Sequence, residues 1–324
     1  MYMLKYICKR IGLMIMTFLI IFVICFVLIR LLPMSFDVKI GEDANKLANI
    51  WEARGYNDPI IEQLFRYIKN IIVHGDFGIS FNIPDHRYDP VWEIFVEKLP
   101  PTILINIYSS LIAVPIGIAL GIFAALKKNK WQDHVISTGV MIVISVPSFV
   151  YASLLLYIIC FKFGWFPKTM ASMTQAGNTY FSWIMFKSMM PAVFALSFGS
   201  IAGYARYTRA ELTEVLTSEF MLLARTKGLT KSQATVRHAL RNAMVPIFPS
   251  IIGEFIGVLS GSLVIEKIFG VPGVGGLYLK AINSMDYDVF MMLSSFYVLV
   301  GLAAGLVIDL SYGIIDPRIR MGAR

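Results

Sequence analysis

Six stretches of this sequence stay apolar for about eighteen residues or more: 11–32, 102–126, 135–161, 187–204, 244–265 and 289–314. A helix rises 1.5 Å per residue, so each is long enough to cross about 30 Å of hydrocarbon, the fourth only barely. Hydrocarbon offers no water to unpaired backbone groups, so such stretches must be helical. Composition agrees: 57% of the 324 residues are hydrophobic and only 15% are charged, against about 25% charged in soluble domains. The mean hydropathy is +0.68. An ordinary soluble enzyme and a disordered chain are excluded. The expected fold is an all-α polytopic membrane protein with six transmembrane helices.

The first run follows Lys5, Lys9 and Arg10, as a signal peptide would. It is too long for a signal h-region, and Pro33-Met34-Ser35-Phe36 offers no small-x-small cleavage site, so an uncleaved span is expected. With six spans, sixteen basic residues fall on one side: in the tail 1–10, the loop 127–134, the segment 206–243 and the C-terminal tail. The other side has twelve, seven of them in the long segment 37–100, where length weakens their vote. Both termini are therefore expected in the cytoplasm. The net charge of +8 then reflects this bias and not nucleic-acid binding. Trp131, Trp165 and Trp183 stand where interfacial anchors would.

The sequence divides into a cytoplasmic start and first span (1–32), an extracytoplasmic insertion (33–101), a five-helix core (102–314) and a short cytoplasmic tail (315–324). The insertion mixes aromatic and charged residues, and Leu64, Phe65 and Ile68 predict an amphipathic helix near 59–73. Such a cap either packs on the membrane part or touches ligand. Glycines recur every four residues at 117/121, 199/203, 253/257/261 and 301/305, a spacing that lets helices approach closely. The triplet 253/257/261 is the candidate for a subunit interface, with internal packing the alternative. Pro147 falls in mid-span and is a candidate for shaping a pathway; Pro191, Pro246 and Pro249 are expected to mark helix starts. Glu254 lies within the fifth run and either lines a polar pathway or holds a neighbouring helix. Asp309 lies near the inner end of the sixth and is expected at the interface or paired with a base. Cys8, Cys25 and Cys160 have no metal-ligand or disulfide spacing. No catalytic constellation, metal site or resident cofactor is expected.

Segment 207–243 is too long for a simple helix connection. Ser218 can cap a helix running to Lys227, with Gly228 in the left-handed C′ position. Thr230 and Gln233 form a capping box for a second, basic helix reaching Ala243, and Pro246 is expected to open the next span. The pair reads either as an interfacial helix on anionic lipid or as a knob that transmits force from a cytoplasmic partner.

This segment resembles the cytoplasmic coupling loop of ABC importer permeases. The generic signature Glu-Ala-Ala-x3-Gly is degraded here to Leu222-Leu223-Ala224 followed by Gly228, with its Glu and first Ala replaced. The dipeptide/oligopeptide branch is matched more fully, by Ala224-Arg225-Thr226-Lys227-Gly228-Leu229 and by Arg237-His238-Ala239-Leu240-Arg241-Asn242-Ala243-Met244-Val245-Pro246. Gly75–Ser80, Leu99-Pro100-Pro101-Thr102, 266–275 and 316–320 resemble other segments of that branch, in order along nearly the whole chain.

The resemblance implies a permease subunit in a bacterial cell (plasma or inner) membrane. It pairs with a second permease, docks two ATP-binding subunits and receives ligand from an extracytoplasmic binding protein. ATP and Mg would be bound by the partner ATPases, so the chain itself is no enzyme. Glu219, Phe220, Leu222, Leu223, Ala224, Arg225, Lys227, Gly228 and Leu229 would form the ATPase-coupling helix and turn, supported by His238, Arg241 and Asn242. Arg225 and Lys227 read either as partners for ATPase acids or as lipid anchors. The run 270–276 is glycine-rich like a phosphate loop, but no Lys-Ser/Thr follows and no strand precedes it. Gly270, Pro272 and Gly273 are read instead as a turn or re-entrant element at an outer gate. The branch carries peptides or nickel and its chelates, and the lack of a His/Cys cluster outside favours peptide. An ion-coupled carrier using Glu254 and Asp309, or a non-transporting scaffold, are the readings from other classes.

Overall fold

A computed structural model describes residues 2–32 and 44–315. The stretch 33–43 and the tail 316–324, with its motif at 316–320, lie outside the described residues. In chain order the helices are α1 (Tyr2–Leu31), α2 (Ala44–Ala53), α3 (Ile60–His74), α4 (Val91–Leu126), α5 (Trp131–Ser145), α6 (Ser148–Leu155), α7 (Trp183–Leu216), α8 (Glu219–Thr226), α9 (Lys231–Ala234), α10 (Leu240–Gly257), α11 (Leu263–Ile268), α12 (Val274–Asn283) and α13 (Tyr287–Ile315). Among the described residues there is no β-strand, only a bridge pairing Ile79 with Pro90. Five helices are long and apolar enough to cross a membrane: Tyr6–Leu31, Val91–Leu126, Trp183–Leu216, Lys231–Ser260 and Tyr287–Ser311. A sixth crossing exists if the bent pair Trp131–Ser145 and Ser148–Lys162 counts as one. The all-α polytopic class follows.

Four expectations need correction. The second span starts at Val91, so Leu99-Pro100-Pro101-Thr102 lies inside a helix and not at its entry. The third is bent by 102°, and Pro147 caps its second half. Pro191, Pro246 and Pro249 lie inside helices and do not start them. The second cytoplasmic helix does not stop at Ala243: a π-turn at Thr235–Ala239 carries it into α10. Proline is tolerated in a membrane helix when neighbours supply hydrogen bonds. Tyrosines of α7 also tie that helix to α10: Tyr207 donates to the carbonyl of Pro246 (3.2 Å) and Tyr204 to that of Ser250 (3.1 Å), neither being a carbonyl that the prolines free.

The chain forms two compact units: Met1–Pro100 with Gly273–Leu302, and Pro101–Pro272 with Ala303–Arg324. In the first, α3 packs Leu64 and Tyr67 on Phe22, Phe26 and Ile29 of α1. Ile68 joins this contact, but Phe65 points outward, against the expected apolar face. Arg30, at the end of α1, is buried against Asp288 (3.1 Å) with the rings of Phe26, Tyr56 and Tyr287 around its guanidinium. Tyr56 donates to the second Asp288 oxygen. Burial first, then the Asp288 charge, hold the Tyr56 hydroxyl well above its usual pKa, so it remains a donor. Asp286 accepts from Ser80 Oγ (2.8 Å) and from the amides of Phe81 (2.8 Å) and Asn82 (3.0 Å). The cap thus packs on α1, α12 and the start of α13.

The second unit is built around α7. Gly117 and Gly121 of α4 meet it so closely that an added Cβ would stand 2.8 Å from the Ile201 carbonyl and 2.7 Å from the Ala205 carbonyl. Internal packing is therefore the role of this pair. The triplet 253/257/261 is not one stripe: Gly253 meets Ile308, Gly257 faces open space, and Gly261 lies beyond α10 with a φ of 63°. Gly121→Ala should cost about 1–3 kcal/mol through overpacking against backbone. Gly139→Ala, inside α5 with nothing within 4 Å, should stabilise by up to about 1 kcal/mol. Thermal unfolding of the two detergent-solubilised variants checks this.

Candidate functional site: an exposed helix at the ends of four spans

The segment after α7 turns sharply. Ser218 occupies the N-cap of α8, but its hydroxyl donates back to Val215 (2.5 Å) and does not cap the helix. After Thr226 the chain leaves the helix through Gly228, whose φ of 89° suits glycine. The Gly228 and Leu229 amides bond to the Arg225 (3.0 Å) and Ala224 (3.4 Å) carbonyls. Thr230 then starts α9 with a complete capping box with Gln233. The glycine turn and the box stand where the spacing puts them.

Helix α8 has two faces. Met221 and Ala224 are buried among Leu212, Ala125, Ala234, Ala239 and Ala243, with Leu229 and Leu240 packed against them. Phe220 (41% exposed), Leu222 (66%) and Leu223 (56%) point away. Glu219, Arg225 and Lys227 are exposed with them. Alanines under the buried face let α8 approach the start of the next span closely. His238, Arg241 and Asn242 are exposed on the π-turn and first turn of α10, and Asn242 Nδ2 donates to the His238 carbonyl (3.0 Å). An exposed apolar face on a short helix whose other face is buried has the form of a docking surface.

The remaining candidates lie elsewhere. Glu254 accepts from Ser200 Oγ of α7 (2.8 Å), so it holds a helix partner. Pro147 is exposed at the bend. Gly270 (φ 60°) turns the chain after α11; Thr169 lies 3.0 Å from where its Cβ would be, and Gly273 caps α12. The structure brings Glu254 together with neither Pro147 nor Gly270 by any hydrogen bond. Asp309 is half-buried.

Three buried polar contacts were not singled out by sequence. Glu266, fully buried, accepts from Thr102 Oγ1 (2.9 Å). Asp133, also buried, takes Arg209 through both oxygens (2.5 and 2.8 Å), together with Ser137 Oγ and the Asn129 amide. The third is the Arg30–Asp288 pair. The signal was present in each case as a charge at the edge of an apolar run, but edges of runs carry many charges. Among the described residues no three His, Cys, Asp or Glu side chains stand close enough to hold a metal.

Residues 117–321 match the family of binding-protein-dependent transport system inner membrane components, and residues 3–106 match the N-terminal region of such membrane components. The chain belongs to this family. It is a membrane component of a transport system and not an enzyme. It is 33% identical to the dipeptide transport system permease protein DppB of Bacillus subtilis over 321 residues, covering 98% of this chain and 99% of the relative. It is 34% identical to the oligopeptide transport system permease protein OppB of Salmonella typhimurium over 319 residues, covering 98% and 100%. The dipeptide transport permease DppB of Lactococcus lactis is 31% identical over the same share.

The two faces of α8 should respond differently to truncation. Met221→Ala should lower stability by about 2 kcal/mol or more through the cavity it leaves, whereas Leu223→Ala on the exposed face should change it by less than about 0.5 kcal/mol. Thermal unfolding of the purified variants reads both.

Proposed function

We propose that this chain is the permease subunit of an ATP-driven importer of dipeptides or oligopeptides. The observation that carries the reading is the seated helix α8, apolar and exposed on one face. Support comes also from full-length similarity to permeases named for dipeptide and oligopeptide transport. In this reading α8 and the Gly228 turn insert into a cleft of an ATP-binding subunit. A second permease completes the pathway, a second ATPase docks beneath it, and an extracytoplasmic binding protein delivers the peptide. Both termini and α8 face the cytoplasm, and the cap of α2 and α3 faces outward, in keeping with the basic-residue bias.

The coupling follows from the packing. Met221 and Ala224 key α8 to α7 through Leu212, and to α9 and α10 through Ala234, Ala239 and Ala243. A push on the outer face therefore reaches two spans at once, which is what an alternating-access cycle requires. Phe220, Leu222 and Leu223 supply the docking contact; Arg225 and Lys227 meet acids of the ATPase. Glu254 and Pro147 are the pathway candidates: the first is an intramembrane acid, the second sits at a bend of 102°. Gly270, Pro272 and Gly273, in the turn between α11 and α12, are the outer-gate candidates. ATP and Mg bind only to the partner subunits.

The test is ATP hydrolysis by the co-expressed complex in lipid nanodiscs, with binding protein empty or loaded with a mixed peptide pool. Loaded protein should stimulate hydrolysis several-fold, and Gly228→Pro, which cannot adopt the φ of 89°, should abolish the stimulation with membrane insertion intact. Failure to recruit any ATPase, or normal stimulation in Gly228→Pro, would overturn the coupling role. Stimulation by nickel-loaded and not by peptide-loaded protein would overturn the cargo.

A further inference from the structure

Helix α1 carries its own depth scale. Between Arg10 and Arg30 it has no charged side chain over nineteen residues, a rise of about 28 Å, close to the thickness of the hydrocarbon. Its two arginines therefore stand at the two boundaries, and the residues between them lie in lipid. Helix α3 packs on the last part of that stretch. The Tyr67 ring lies against Phe22 (6.1 Å between centroids) and Phe26 (5.6 Å), with Leu64 buried in the same contact. Phe26 and Phe22 are four and eight residues inside Arg30, about 6 and 12 Å below that boundary.

The apolar sector of α3 is wider than this seat. Ile61, Phe65 and Ile72 follow at i, i+4 and i+11, which puts them on one stripe. They are 59%, 67% and 77% exposed, and the half-buried Ile68 joins the stripe to the seat. This stripe is why Phe65 points outward although its helix is amphipathic. The other side of the helix is polar: Glu62 and Lys69 are exposed, and Arg66 pairs with Asp58 (2.6 Å) at the surface. Val73 is the apolar exception there. A helix with one open apolar side and one open charged side fits a boundary between two media. Upright beside α1 it would carry Glu62 and Lys69 into hydrocarbon; lying at the boundary it keeps them out.

We infer that α3 is an interfacial helix, with Ile61, Phe65 and Ile72 set among the acyl chains of the leaflet at the Arg30 end of α1 and Glu62, Arg66 and Lys69 among its headgroups. The seat fixes the depth: helices lying in a membrane surface sink their apolar side about 5–10 Å below the headgroup boundary, the level at which Tyr67 meets Phe26. Lipid is the occupant because lipid is already there. At the same level α1 leaves Ile24 (51%) and Leu28 (59%) uncovered, and a soluble partner could reach the stripe only by entering the hydrocarbon. Nothing in this placement depends on what the chain transports.

The test is spin labelling of the full chain, purified with its co-expressed subunits and returned to nanodiscs of phosphatidylcholine and phosphatidylglycerol, in a background of Cys8→Ser, Cys25→Ala and Cys160→Ala. One nitroxide at a time is attached through Ile61→Cys, Phe65→Cys, Ile72→Cys or Lys69→Cys, with Leu28→Cys on α1 as the lipid-facing reference. Its collisions with oxygen, which concentrates in hydrocarbon, are compared with its collisions with water-soluble chromium oxalate. The ratio of oxygen to oxalate collisions at the three stripe positions should match Leu28→Cys and exceed Lys69→Cys by about tenfold or more, because a trivalent anion is excluded from hydrocarbon. All the labelled positions are exposed, so the seat of α3 stays intact, and co-purification of the other subunits checks assembly. A stripe ratio as low as that at Lys69→Cys would place the helix in water, and few collisions with either reagent would mean that a partner subunit covers the stripe; each overturns the lipid assignment.

Discussion

Hydrocarbon gives a backbone amide no partner but another backbone group or a neighbouring side chain, and the architecture follows from this constraint. It explains why the candidate spans are helical and why breaks within them are few. The departures are placed where something repairs them. At the 102° bend, Val146 still donates to Ile142 (3.1 Å) before Pro147 begins the next helix. Past α10 the chain breaks at Gly261, and the buried Glu266 there receives the Thr102 hydroxyl and lies 2.5 Å from the Cβ that Gly261 lacks. A side chain at that position would displace the carboxylate.

Helix α7 carries the second unit because it supplies both contact modes that work in lipid. Small residues of α4 let backbones approach: Gly117 and Gly121 lie against Ile201, Tyr204, Ala205 and Thr208. Hydroxyls then join helices across the gap, Ser197 to Ser109 (3.2 Å), Ser200 to Glu254 (2.8 Å) and Tyr204 to the Ser250 carbonyl (3.1 Å). Neither mode depends on the hydrophobic effect, which is absent between apolar helices in an apolar solvent.

How much of this could be read from sequence depended on the range of the interaction. Helical class and five of the six expected spans are set by runs of about twenty residues and were legible; the sixth depends on counting the bent pair as one crossing. So were the Gly228 turn and the Thr230–Gln233 box, which are decided within four residues. Helix ends were not: α4 starts eleven residues upstream of its apolar run, at Val91, because Val91, Ile94 and Phe95 are buried against Val274, Leu277 and Met292, a contact between distant segments. Pro246 looked like a helix start because proline favours the first turn; it lies inside α10 because the helical path begun at Thr230 continues through the π-turn without a break. Arg30 was invisible as a structural residue because its partner, Asp288, lies 258 positions away.

The site itself was legible as a segment but not as a surface. Sequence placed Leu222, Leu223 and Ala224 in one signature, yet the first two are exposed and the third is buried. Only the fold separates the residues that seat the helix from those it leaves exposed. The separation has a mechanical consequence. Leu212 under the buried face belongs to α7, and Ala239 and Ala243 lead directly into α10. Alanines bring the backbones close, Met221 and Leu212 fill the space between them, and close-packed interiors transmit strain. The buried face of α8 is therefore shared between the end of α7 and the start of α10.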